Sequence, residues 1–141
     1  MEEILIINLF SSFFLCGLIW TVQLVHYPSF HGFEKEKYAG WMAFHKSRIS
    51  IIVVPVMLAE LGSSVLLSFV ENQFLTLNRA GLAVVILIWL ITFFVQVPLH
   101  GKLSSGYREE IVRKLVTSNL WRTSLWTIKS ILGIILLTRI L

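Results

Sequence analysis

The sequence predicts an all-α integral membrane protein, a four-helix bundle. Three observations carry that prediction. Of its 141 residues 56% are apolar, against about 45–50% for a soluble domain. Charged residues make up 14%, where roughly 25% is usual, and the mean hydropathy is +0.79. The apolar residues also gather into four runs, each close to the ~20 residues that a helix needs to cross ~30 Å of hydrocarbon. A disordered chain and a disulfide scaffold are excluded by the same figures. The formal charge is +4, yet the basic residues sit in short clusters between apolar runs, so no nucleic-acid partner is expected.

The spans run from about 4 to 25, 49 to 70, 80 to 97 and 121 to 141, in one transmembrane domain. The period-2 alternation of barrel strands is absent, which leaves helices as the workable spans. The first run opens on Glu2 and Glu3 and is too long for the apolar core of a signal peptide, so it reads as a span. Cys16 lies inside it and, being the single cysteine, has no intramolecular partner. In the second span Pro55 removes a helix hydrogen bond and frees a carbonyl near Ile51, which predicts a kink. Gly62, Ser63 and Ser64 follow and permit close helix contact. Pro28 and Pro98 mark helix exits.

The loops predict orientation. Residues 26–48 carry Lys35, Lys37, Lys46 and Arg48, and residues 100–122 carry Lys102, Arg108, Arg113, Lys114 and Arg122. Nine of the twelve basic residues thus share one side. The positive-inside rule places both long loops in the cytoplasm and both termini outside the cell membrane. Trp20, Tyr27, Tyr107 and Trp121 fall where an aromatic belt would sit. Within the loops, Phe33, Trp41 and Phe44 alternate with charges, and Tyr107, Ile111 and Leu115 recur every four residues. Glu109 and Glu110 stand four before Arg113 and Lys114, a helical pairing. Both loops therefore predict short amphipathic surface helices, packed over the bundle mouth.

The halves of the chain resemble each other. Gln23-Leu-Val-His26 ends the first span and Gln96-Val-Pro-Leu-His100 the third. His45-Lys-Ser-Arg48 opens the second span and Asn119-Leu-Trp-Arg122 the fourth. The spacing from Gln23 to His45 is 22 residues and that from Gln96 to Asn119 is 23. Each half then supplies two spans in the same orientation, a parallel repeat about an axis along the membrane normal. With or without a duplication, Gln23, His26, His45, Arg48, Gln96, His100, Asn119 and Arg122 come to one membrane depth.

That polar mouth is the candidate site. His26, His45 and His100 can ligate a metal ion or haem iron, since imidazole suits Zn, Cu and Fe. The same histidines can instead bond to headgroups, loop backbone or water. Gln23, Gln96 and Asn119 are candidate substrate contacts. Arg48 and Arg122 can hold an anionic group bidentately or anchor headgroups. Glu60 lies twelve residues past Arg48, about 18 Å into its span at 1.5 Å per residue. An ionisable group there is costly and usually functional, and Glu60, His26 and His100 are the candidate catalytic groups. Lys129, about 10 Å past Arg122, is placed to reach Glu60. Trp89 and Trp126 read as packing or lipid contacts.

The exit Gln96-Val-Pro98-Leu-His100 with Leu103, and the entry Asn119-Leu-Trp-Arg122-Thr with Trp126, resemble the small four-helix membrane proteins related to anthrone oxygenases. His100 stands where that pattern has Asn. The resemblance covers roughly the second half and the Gln-x-x-His-Tyr-Pro exit of the first. It implies a four-helix membrane bundle and oxidation of an aromatic substrate. Three functions are therefore open. One is an oxidoreductase acting on an apolar molecule that enters from the lipid bilayer. The second is a small-ligand binding or proton-coupled transport module. The third is an assembly subunit without chemistry, and self-association into a homo-oligomer fits any of them.

Overall fold

A computed structural model describes residues 2–32 and 34–140, with the backbone alone at His31. Phe33, expected on the apolar face of the first loop, lies outside the described residues. The helices are α1 (Glu2–Thr21), α2 (Tyr38–Leu67), α3 (Leu75–Ile91), α4 (Val97–Leu103) and α5 (Glu109–Ile140). A π-helical segment, Val22–His26, continues α1, and a 3-10 turn, Pro28–Gly32, follows it. A second π-helical segment, Thr92–Gln96, joins α3 to α4. Four helical stretches, Glu2–Phe30, Tyr38–Leu67, Leu75–Leu103 and Glu109–Ile140, are long and apolar enough to cross a membrane. The chain is an all-α, four-helix, multi-pass bundle.

Each stretch overruns its predicted span at the basic end. Pro98 does not end the third span. It is the second residue of α4, directly after the π segment, and helix continues to Leu103. The amphipathic stretches of the loops are helical only from Tyr38 and from Glu109, as the opening turns of α2 and α5 continuous with the spans, while residues 34–37 form an irregular turn. Glu109 and Glu110 begin α5 and meet Arg113 at 3.4 Å and Lys114 at 2.6 Å. Gly106 turns the chain between α4 and α5 at φ 135°, a left-handed conformation that suits glycine. Likewise α2 runs through Pro55 as one helix, with Pro55 on its exposed side.

Burial explains why these helices associate. In lipid, apolar surface gains nothing by moving from a hydrocarbon neighbour to a protein one, so packing and polar contacts hold spans together. On α5 the inward stripe is Asn119, Arg122, Thr123, Trp126, Lys129 and Ser130, while Ile128, Ile131 and Ile134 point outward. On α1 it begins with Asn8, Ser11 and Ser12 and turns apolar at Leu15 and Ile19. Gly133 lets the two close up, for a β-carbon there would stand 3.0 Å from Leu9 Cδ2. Trp20 and Trp121 are exposed near the basic end, as a belt requires, whereas Tyr27 is buried.

Candidate functional site

Four elements meet at the basic end: the π segment after α1, the start of α2, the α3–α4 junction and the middle of α5. A π turn widens the helix and rotates the residues beyond it, and such bulges are frequent at functional sites. Gln23 and Gln96 both lie in π segments and both turn inward, at 7% and 2% exposure. Each reaches α5. Gln23 Nε2 donates to the Val116 carbonyl at 3.3 Å, and its Oε1 accepts from Asn119 Nδ2 at 2.9 Å. Gln96 Nε2 donates to Ser118 Oγ at 2.9 Å. Arg122 continues the chain of bonds, donating from Nη1 to Asn119 Oδ1 at 3.2 Å. Its guanidinium also lies 5.0 Å above the Trp126 ring, a favourable cation–π placement.

The three predicted histidines do come together. His26 Nε2 and His45 Nδ1 are 2.8 Å apart, so one ring donates a proton to the other. The His45 ring lies between Trp41 and His100, at 5.7 Å and 5.9 Å between centroids and 13° and 21° between planes. His100 is fixed from behind by Nδ1 and the Gln96 carbonyl at 2.8 Å. Its Nε2 faces the Tyr27 hydroxyl at 3.4 Å. Phe30 stands edge-on to His26 and His45. His26 and His45 share a hydrogen bond, His100 stacks on His45, and both nitrogens of His100 are engaged, by the Gln96 carbonyl and by Tyr27. Among the described residues no group of three or more His, Cys, Asp or Glu side chains is set to hold a metal ion. The three imidazoles are therefore not arranged as a three-ligand metal centre.

Beside the imidazoles lies a cavity of about 360 Å³. Its polar end is His45, Lys46, Gln96, His100 and Arg122, and its body is apolar, including Leu15, Val53, Met57 and Trp89. Val54, Phe93 and Val97 line it and are also exposed on the bundle exterior, so it opens toward lipid between α2 and the α3–α4 helix. Three of its lining residues hold buried polar atoms without partners: Trp89 Nε1, Gln96 Oε1 and Arg122 Nε.

Two predicted site residues stand elsewhere. Arg48 is exposed and lies over the Phe44 ring at 5.4 Å, one helix face away from the cavity. The two halves of the chain thus place their counterpart arginines differently, Arg122 inside and Arg48 outside. Glu60 is fully buried but does not line the cavity. Trp126 separates the two, lining the cavity with its ring and donating from Nε1 to Glu60 Oε2 at 3.0 Å. Nor does Lys129 ion-pair with Glu60. Its Nζ donates to Asn8 Oδ1 at 2.8 Å. Asn8 Nδ2 in turn donates to Ser63 Oγ at 2.9 Å and Ser64 Oγ at 2.8 Å.

Sequence reasoning missed Asn8 and Ser12, and it read Trp89 and Trp126 as packing. The signal for the first pair was present: Asn8 and Ser12 are four apart, one face of a helix that is otherwise lipid-like. Among family models, curated proteins and solved structures, no match to this chain was found.

Proposed function

We propose that this chain binds a lipid-soluble small molecule with a flat apolar body and a hydroxyl or carbonyl head, and exchanges protons with that head. The observation that carries this reading is the largely apolar cavity with His45, Lys46, Gln96, His100 and Arg122 gathered in its lining at one end, where a polar atom of a ligand finds partners. Leaving such an atom unpaired costs about 1–3 kcal/mol. His45, Lys46 and His100, which line that end, offer donors and acceptors to a carbonyl or hydroxyl head. The side opening supplies an entry from the bilayer. The paired His26 and His45, stacked on His100, supply a route for a proton leaving the ligand.

The resemblance to anthrone-oxygenase-like proteins favours one version, an oxidoreductase acting on an aromatic substrate. The alternative is a binding or transport module with the same cavity. 1-Naphthol separates them. Saturable quenching of tryptophan fluorescence by 1-naphthol in detergent-purified protein supports the cavity reading. Val53→Trp fills the apolar body without touching the polar end and should abolish that quenching. Unchanged binding in Val53→Trp, or none in the wild type, defeats it. Conversion of bound 1-naphthol to 1,4-naphthoquinone, with one dioxygen consumed and one water released per quinone, selects the oxidoreductase.

For topology we propose that both long connections face the cytoplasm and both termini lie outside. Eight of the nine basic residues at that end are on or near the surface, Arg122 being the buried one. In a Cys16→Ala background, cysteines placed at Lys37 and Arg113 should resist a membrane-impermeant maleimide in intact cells and react after permeabilisation. Labelling without permeabilisation would reverse the orientation.

A further inference from the structure

Below Trp126 lies a second polar assembly that the cavity does not use. Glu60 from α2, Asn8 and Ser12 from α1, and Lys129 from α5 are buried together, none above 5% exposure. The Lys129 charge acts on the Glu60 carboxyl through space. Two atoms there have no hydrogen-bond partner, Glu60 Oε1 and Ser12 Oγ. Beyond Lys129 a crevice of about 20 Å³ is lined by Asn8, Ser64, Asn78, Gly81, Lys129 and Gly133. A water molecule needs at least about 10–15 Å³ and two to four polar partners, and this crevice offers both. It leads toward Asn78, in the second turn of α3, at the end of the bundle that carries the chain termini. Gly81 keeps it open, for a β-carbon there would stand 3.4 Å from Lys129 Cε.

We infer that Glu60, Ser12, Lys129 and Asn8 form a proton-carrying site that communicates with the terminal end of the bundle, with Trp126 as the partition toward the cavity. The inference does not depend on which molecule fills the cavity. Structural ion pairs lock by direct contact, and here no ion pair joins Glu60 to Lys129; the described pairs all lie on the surface. Carboxylate with ammonium, and carboxylic acid with amine, are both neutral in sum. Passage from one to the other breaks an N–H bond and forms an O–H bond, so a proton moves through low-dielectric surroundings without a change of net charge. A proton arriving through the crevice restores the ammonium. The acid proton on Glu60 then stands against Trp126, the wall of the ligand cavity, and its release past that ring into the cavity returns the layer to carboxylate and ammonium. Intramembrane ionisable residues that face a bundle interior commonly mark such relays.

The test uses the full chain in phosphatidylcholine–phosphatidylglycerol vesicles, with a potassium gradient, valinomycin and an internal pH-sensitive dye. Wild-type vesicles should take up protons faster than protein-free vesicles, and Glu60→Gln should lower that protein-dependent rate about tenfold or more, as loss of a relay carboxyl requires. Glu71→Gln, an exposed acid at the terminal end, should leave it unchanged. In unmutated protein, N,N′-dicyclohexylcarbodiimide, which adds to buried carboxylic acids, should modify Glu60 alone among the eight glutamates and stop the flux. That arm needs no variant to fold. Wild-type flux equal to protein-free vesicles overturns the inference. So does full flux in Glu60→Gln, or a Glu60 adduct that leaves the flux intact.

Discussion

Arg122→Ala should weaken 1-naphthol binding by about 10–150-fold, the equivalent of the 1.5–3 kcal/mol of a hydrogen bond to a charged group. Arg122 is 6% exposed and holds two neighbours with its guanidinium, Asn119 Oδ1 and the Trp126 ring. The residue also lines the polar end of the cavity. Truncation therefore removes the donor at the polar end and unties Asn119, which holds Gln23. Arg122→Lys keeps a charge but loses the planar fork that meets several partners together, so it should recover part of the affinity and not all of it. Arg48→Ala is the matched control. Its side chain is exposed over Phe44, and its removal should leave binding unchanged. Tryptophan quenching titrations on the three proteins decide the matter. Equal losses from Arg48→Ala and Arg122→Ala would show that overall charge, and not the cavity, attracts the ligand.

That pair of arginines also shows where sequence reading stops. Both occur in x-x-Arg entries to a span, at matched spacing, and nothing in their local pattern distinguishes them. Helix rotation does. The α2 stripe that turns inward is Tyr38, Met42 and His45, which leaves Arg48 on the outer side, whereas Arg122 falls on the stripe of Asn119 and Trp126. Membership of the bundle and the convergence of His26, His45 and His100 were legible, because span length and exit position set depth. The cavity was not. It arises from the gap between α2 and the α3–α4 helix, and that gap depends on a π segment whose five residues, Thr92–Gln96, carry no special composition. Glu60 was legible as a buried acid from its depth alone, but its partners were not. Lys129 was expected to meet it directly and instead bonds Asn8, because Asn8 and Ser12 on α1 complete the polar layer that a two-residue reading left out.

Lys129→Met should destabilise the bundle by about 3–5 kcal/mol, the usual cost of leaving a buried charge without its counterpart. The substitution keeps the chain length that packs against Gly81 but removes the charge that acts on Glu60 and the donor that holds Asn8 Oδ1. Asn8 then loses the contact that orients its amide toward Ser63 and Ser64, so α1 loosens from α2 as well as from α5. Glu60→Gln in the same protein should recover at least half of that loss. A glutamine carries no charge to strand, and it still offers an oxygen to Trp126 Nε1 and an amide to Ser12. The coupling between the two sites is the diagnostic quantity, because contacts that act independently add. Reversible unfolding of the four proteins of the cycle in mixed micelles of dodecyl maltoside and sodium dodecyl sulfate measures it. Losses that simply add would mean that Glu60 and Lys129 do not sense each other across the interior, and the shared-proton reading of that layer would fall with them.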